Sequence, residues 1–130
     1  MEMTGHNTFG AFQNPNAGAA DNLDLVIRCY DAVIKDLEEA KSHHTNSQMD
    51  AAYDKIRHAQ DILTELLVCL DYEKGGSISQ NLGRIYNFIL RELITIPSTQ
   101  NTQAYGQLVH LLSELRSAWV QIRSQQSVIS

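Results

Sequence analysis

The side chains able to do chemistry in this chain are few and scattered. Four histidines stand in or beside helical patterns: His43, His44, His58 and His110. A carboxylate-bridged metal site in a helical bundle needs a Glu three residues before each ligating His. Here Ala40, Lys41, Lys55 and Gln107 occupy those positions. There is no Cys-x-x-Cys, no Cys-x-x-Cys-His and no Gly-rich phosphate loop. The carboxylates follow no pattern beyond that of solvated helix faces. Cys29 and Cys69 both fall within apolar helical patterns. They read as reduced core or groove residues rather than a disulfide. His58 is the sharpest enzymatic suspicion, because phosphotransfer domains are four-helix bundles with an exposed reactive His. Their pattern places a Lys and then a Gly just after that His. Ala59-Gln60-Asp61 stand here instead, and Asp61 would repel a phosphoryl group. The expectation is a protein that is not an enzyme and takes no cofactor and no metal.

The elements that position these residues are helices. Ala52, Ile56, Ala59, Leu63, Leu66, Leu67 and Leu70 recur at steps of three and four, as one helix face requires. Ile78, Leu82, Ile85, Ile89, Leu93 and Ile96 do the same on a second helix. Between them lies DYEKGGSIS. Gly75-Gly76 should end the first helix, and Ser77 or Ser79 should cap the second. Upstream, Asp21 or Asn22 offers an N-cap for a helix running to about Lys41, with HHTNSQ as a polar connector behind it. Downstream, Pro97-Ser98-Thr99 stops the third helix. A fourth carries Tyr105, Leu108, Leu112, Leu115, Trp119 and Ile122. No stretch alternates with period two, so no sheet is expected. The fold class is all-α: an antiparallel up-down four-helix bundle over residues 21–125. Residues 1–20 form a Gly-, Asn- and Ala-rich arm expected to be mobile unless Phe9 and Phe12 dock.

Size and charge narrow the function. The chain has 130 residues, enough for one core, and a formal net charge of -5. Its Lys and Arg are dispersed, whereas nucleic-acid binders usually cluster them on one face. No apolar run approaches the roughly 20 residues of a membrane span. The first ten residues lack the basic and apolar regions of a secretory signal. A cytoplasmic protein, with neither nucleic acid nor membrane as partner, is expected.

Apolar residues are the surplus. On helical wheels, Ile62 and Cys69 fall on a flank beyond the core stripe of the second helix, with Leu66 at the shared edge. On the third helix, Leu90 and Ile94 lie on one flank beside Gly83, and Phe88 lies on the other. The first helix adds Leu25, Cys29 and Val33, and the fourth adds Leu111 and Ala118. A globular helix often shows an apolar arc wider than 100°. Taken together, however, these flanks exceed what four helices need to cover one another, and contiguous exposed apolar patches mark partner sites. The expected ligand is an amphipathic helix or a chain that folds on docking.

The same residues carry a resemblance. From Phe9 to Ile122 the chain resembles the FliS family of flagellar secretion chaperones. The segment AQDILTELLVCLDYEKGGSISQNLGRIYNFILREL is its best part, with Leu66, Leu70, Asp71, Gly76, Leu82, Tyr86 and Leu93 where that pattern expects them. The first helix matches through Leu25, Tyr30 and Ala40, and the fourth through LLSELRSAW. FGAFQ resembles a family segment with two Tyr at the same spacing. The chain departs in having Asp21-Asn22 where Ser-Pro is common, Arg28 at a usually apolar position, and Phe9 and Phe12 for Tyr.

The resemblance implies a partner and a mechanism. Family members bind the C-terminal segment of flagellin, which is disordered in the monomer, and so block premature polymerisation before type III export. They also contact the export gate protein FlhA, and the N-terminal arm can occupy the empty groove. On this reading the partner-binding residues are Phe12, as a competing plug, and Ile62, Leu66, Cys69, Leu90 and Ile94, as groove lining. Two alternatives stay open. One is a self-associating bundle that buries the same flanks in a homodimer. The other is a phosphotransfer domain using His58.

Overall fold

The computed structural model describes residues 19–129. Four helices follow in order, with no strand among the described residues: α1 Ala19–Thr45, α2 Met49–Val68, α3 Tyr72–Thr95 and α4 Gln103–Ile129. A 3₁₀ turn, Ile96–Ser98, carries Pro97 at its start and closes α3, where the sequence places the stop.

The helices pack as a bundle with α1 at its centre of contact. α1 lies closely along both α2 and α4, and α3 lies along α2. Ion pairs give the register of each seam. Asp24 pairs with Arg123 at 2.6 Å, and Asp31, seven residues on, pairs with Arg116, seven residues back. Asp36 meets His58 at 2.5 Å, and Glu39, three residues on, meets Lys55 at 3.0 Å, three residues back. Steps of opposite sign along the two partners are the mark of antiparallel neighbours. Apart from Asp36, which is buried, these side chains are well exposed to solvent, so the other three pairs set direction more than stability.

Burial explains why α1 sits between two neighbours. Leu25, Val26, Ile27, Cys29, Tyr30, Val33, Asp36, Leu37 and Ala40 are all buried. At 100° per residue they span about 200° of the helix. Across the core, Tyr30 on α1 and Tyr86 on α3 share a hydrogen bond of 2.6 Å between hydroxyls. Their rings stand edge to face at 6.3 Å. Leu63, Ile89, Leu93, Tyr105 and Leu112 complete the fully buried centre. Burying each side chain of this size contributes about 1.5–3 kcal/mol.

Three boundaries differ from the sequence reading. α1 is already helical at Ala19, so Asp21 and Asn22 lie within its first turn rather than ahead of it. At its other end it runs through His43 and His44 to Thr45, leaving only residues 46–48 as connector. There Gln48 N–H donates to the His43 carbonyl at 2.8 Å and Ser47 N–H to that of His44 at 3.0 Å. That double closure requires a left-handed residue, and Ser47 supplies it with φ 60°. A Gly is the usual signal for such a stop, and its absence hides this one.

The α2–α3 turn is also shifted. α2 ends at Val68 with Cys69 as its C-cap, well before Gly75-Gly76. The chain re-enters helix at Tyr72, and Gly76 breaks it at φ 53°, ψ −127°. Asp71 does the capping: its carboxylate accepts the Glu73 N–H at 3.1 Å. The buried Ser79 hydroxyl donates back to the Asp71 carbonyl at 3.0 Å. Gly75 is needed for room, since a Cβ there would lie 1.8 Å from the Ser79 hydroxyl.

Candidate functional site

The titratable groups are engaged in structure. His58 offers Nδ1 to the buried Asp36, tying α2 to α1. His44 Nε2 lies 3.1 Å from the Thr99 carbonyl and Nδ1 2.9 Å from the Tyr105 hydroxyl. A carbonyl only accepts, so Nε2 carries a proton and donates to it. This His joins α1 to the α3–α4 connection. Beside it a cavity of about 470 Å³ is lined by polar residues such as Ser47, Thr99 and Thr102. Among the described residues no group of three or more His, Cys, Asp or Glu could hold a metal.

Burial raises the buried phenols. Tyr86 is pushed far above the ordinary tyrosine range by desolvation, then by Tyr30 beside it. Tyr30 rises for the same first reason, partly offset by its hydrogen bond with Tyr86. Tyr105 rises by burial, with Tyr53 adding to it.

The residues expected to line a groove part company. Ile62 is 9% exposed and Leu66 is 3% exposed, and both belong to the core. Cys69 and Leu90 are half-buried, and Ile94 is 72% exposed. Phe12 lies outside the described residues. The physical reason is bundle handedness. Ile62 and Cys69 share a helical stripe with Lys55 and His58, whose partners Glu39 and Asp36 are on α1. That flank of α2 is therefore the α1 seam. Leu25, Cys29 and Val33 on α1 are buried for the matching reason. Gly83 is buried as well, within its own bundle.

The spare apolar surface gathers on α3 instead. Tyr86 points at α1, which fixes the phase of the helix. Leu90 and Ile94 then fall on the flank toward α2, where Tyr53 is 40% exposed. Ile85 and Phe88 fall on the flank toward α4. Phe88 is 42% exposed, and Ile78, at the start of that side, is 68% exposed. Among the described residues α3 and α4 lack the close backbone packing of the other neighbouring pairs. Facing that opening, α4 presents half-buried Leu111, Leu115 and Trp119, and Ile122 at 40% exposure. A wheel of α3 alone shows Phe88 off the core stripe. It does not show that α4 leaves that flank open, nor that Ile78, in phase with the core, lies beyond its end.

Apolar side chains thus stand open on both flanks of α3 and at Ile122 on the facing side of α4. The family model described as "Flagellar protein FliS" matches residues 6–126. The chain therefore belongs to the FliS family. It is similar to the flagellar secretion chaperone FliS of Vibrio cholerae, 27% identical over 104 residues covering 80% of this chain and 76% of the other. The FliS chaperone of Campylobacter jejuni is 21% identical over 126 residues, 97% of this chain and 98% of its own. That of Salmonella typhimurium is 38% identical over 58 residues, 45% of this chain and 43% of its own.

Proposed function

We propose that this protein is a flagellar export chaperone whose α3 helix is the platform for the C-terminal segment of flagellin. The observation that carries the reading is the distribution of exposed apolar residues. Ile78, Phe88 and Ile94 stand open on α3, on both of its flanks, while α1 hides its apolar flank and α2 leaves Tyr53 and, at its last residue, Val68 exposed. A segment that is disordered when free loses about 2–5 kcal/mol on ordering, and burying roughly 1,000–3,000 Å² offsets it. Laying amphipathic turns over α3, from Tyr53 and Leu90 on one side to Leu115 and Ile122 on the other, provides area of that kind. Covering the segment withholds it from polymerisation until export. The family resemblance adds the export gate protein FlhA as a second contact. No helix among the described residues is long and apolar enough to cross a membrane, in keeping with a carrier that works in the cytoplasm.

The test is a pull-down and sedimentation experiment with a flagellin C-terminal segment. The unaltered chain should give a one-to-one complex, and Phe88→Asp with Ile94→Asp should lose it while keeping helical circular dichroism. The contrary result is a chain that sediments as a dimer and ignores flagellin, which would make α3 a self-association face.

A further inference from the structure

We propose that Cys29 and Cys69 form a peroxide-sensitive dithiol site that closes to an intramolecular disulfide across the α1–α2 seam. Both cysteines are thiols, with no disulfide between them. The ion pairs of this seam set its register, and by the same stepping the α2 residue level with Cys29 is Glu65. Cys69 lies one helical turn beyond it, roughly 6 Å along the axis. Side chains on an α-helix lean toward the N-terminus of their own helix. Because α1 and α2 are antiparallel, Cys29 leans toward the level of Cys69, and Cys69 leans back toward Cys29. Both lie on the stripe of their helix that faces the other. The two leans shorten that axial gap, and movement of the chain at the end of α2 must close the remainder.

The surroundings assign the thiols different roles. Cys29 is 7% exposed, whereas Cys69 is half-buried and is the C-cap residue of α2. Beyond it the chain leaves the helix, so a shift of Cys69 costs the terminal bond from its N–H to the Glu65 carbonyl at 3.0 Å and leaves the bonds further inside α2 intact. Burial, and then the charge of Cys69, hold the Cys29 thiol up at about 11. Cys69 is therefore the first to react. Its thiolate attacks one oxygen of hydrogen peroxide. The O–O bond breaks, hydroxide leaves and is protonated to water, and Cys69 becomes a sulfenic acid. The negative charge that opposed ionisation of Cys29 is then gone. The Cys29 thiolate attacks the sulfenic sulfur, the S–S bond forms and the oxygen leaves as water. Two thiols are oxidised by two electrons, and one peroxide is reduced to two waters. This chemistry does not depend on what α3 binds.

The experiment treats the full chain with hydrogen peroxide under native conditions and reads intact mass and non-reducing peptide maps. The expected product is a monomer that has lost two hydrogens, with the Cys29 and Cys69 peptides joined, a higher urea midpoint and reversal by dithiothreitol. In Cys29→Ala, Cys69 should instead gain oxygen and proceed to sulfinic acid. In Cys69→Ala, Cys29 should stay reduced. The proposal is overturned if the unaltered chain gives Cys69 sulfinic acid or an intermolecular dimer with Cys29 still reduced. It is equally overturned if the cross-link forms only once urea has unfolded the bundle.

Discussion

The hydroxyls of Tyr30 and Tyr86 meet at 2.6 Å, joining α1 to the helix diagonally opposite it. Such a group is costly to strip of partners, because those left behind keep their desolvation without a bond. Tyr30→Phe and Tyr86→Phe should therefore each cost about 1–3 kcal/mol. The double variant should cost less than the two singles combined, since the second change removes an already orphaned hydroxyl. Urea unfolding of the three variants checks this.

Alkaline pH should destabilise the bundle. Tyr30, Tyr86, Tyr105 and Cys29 all have raised values in the folded chain. Their ordinary values are 10.0 for Tyr and 9.0 for Cys. Above those values the unfolded state binds fewer protons than the folded one, so stability falls as pH rises. It is fully present below about pH 9 and lost as pH climbs toward the raised folded values, by at most about 1.4 kcal/mol per pH unit per group. Tyr86→Phe removes one such group and should make the fall shallower above about pH 10. Urea midpoints between neutral and alkaline pH measure it.

The two left-handed positions should respond in opposite directions. Ser47 holds φ 60° with a side chain, so Ser47→Gly should stabilise by about 0.5–1 kcal/mol. Gly76 sits at φ 53°, ψ −127°, and a Cβ added there would meet nothing within 4 Å, so only backbone strain opposes a side chain. Gly76→Ala should cost about 1–3 kcal/mol. Thermal melts of both variants decide it.

Ile62 and Ile94 separate folding from binding. Ile62→Asp places a charge in the α1–α2 seam and should unfold the bundle or cost upward of about 3 kcal/mol. Ile94→Asp alters an exposed site and should change stability by less than about 0.5 kcal/mol. Its effect should appear in flagellin binding, weakened at least about tenfold. Circular dichroism paired with a binding titration distinguishes the two.

The helices are legible because their apolar steps are strong: Leu63, Ile89 and Leu112 are on the stripes that the sequence marks, and all are fully buried. Helix ends are less so, because Ser47 stands where a Gly is usual, and because α2 already stops at Val68 while Gly76 breaks only the short turn that follows Asp71. The site is legible only in kind. A surplus of apolar residues is visible in composition and phase, but which flank stays open depends on the hand of the bundle. That hand puts Ile62 and Cys69 against α1, yet leaves Ile94 and Phe88 exposed. It is a property of the packed helices together, and no single wheel contains it.

Isothermal titration of the full chain with a flagellin C-terminal segment, at several temperatures and salt concentrations, tests the central claim most directly. Docking over the apolar flanks of α3 predicts one-to-one binding with a negative heat-capacity change and an affinity that barely moves with salt. No binding, or binding that collapses with added salt and shows no heat-capacity change, would contradict it.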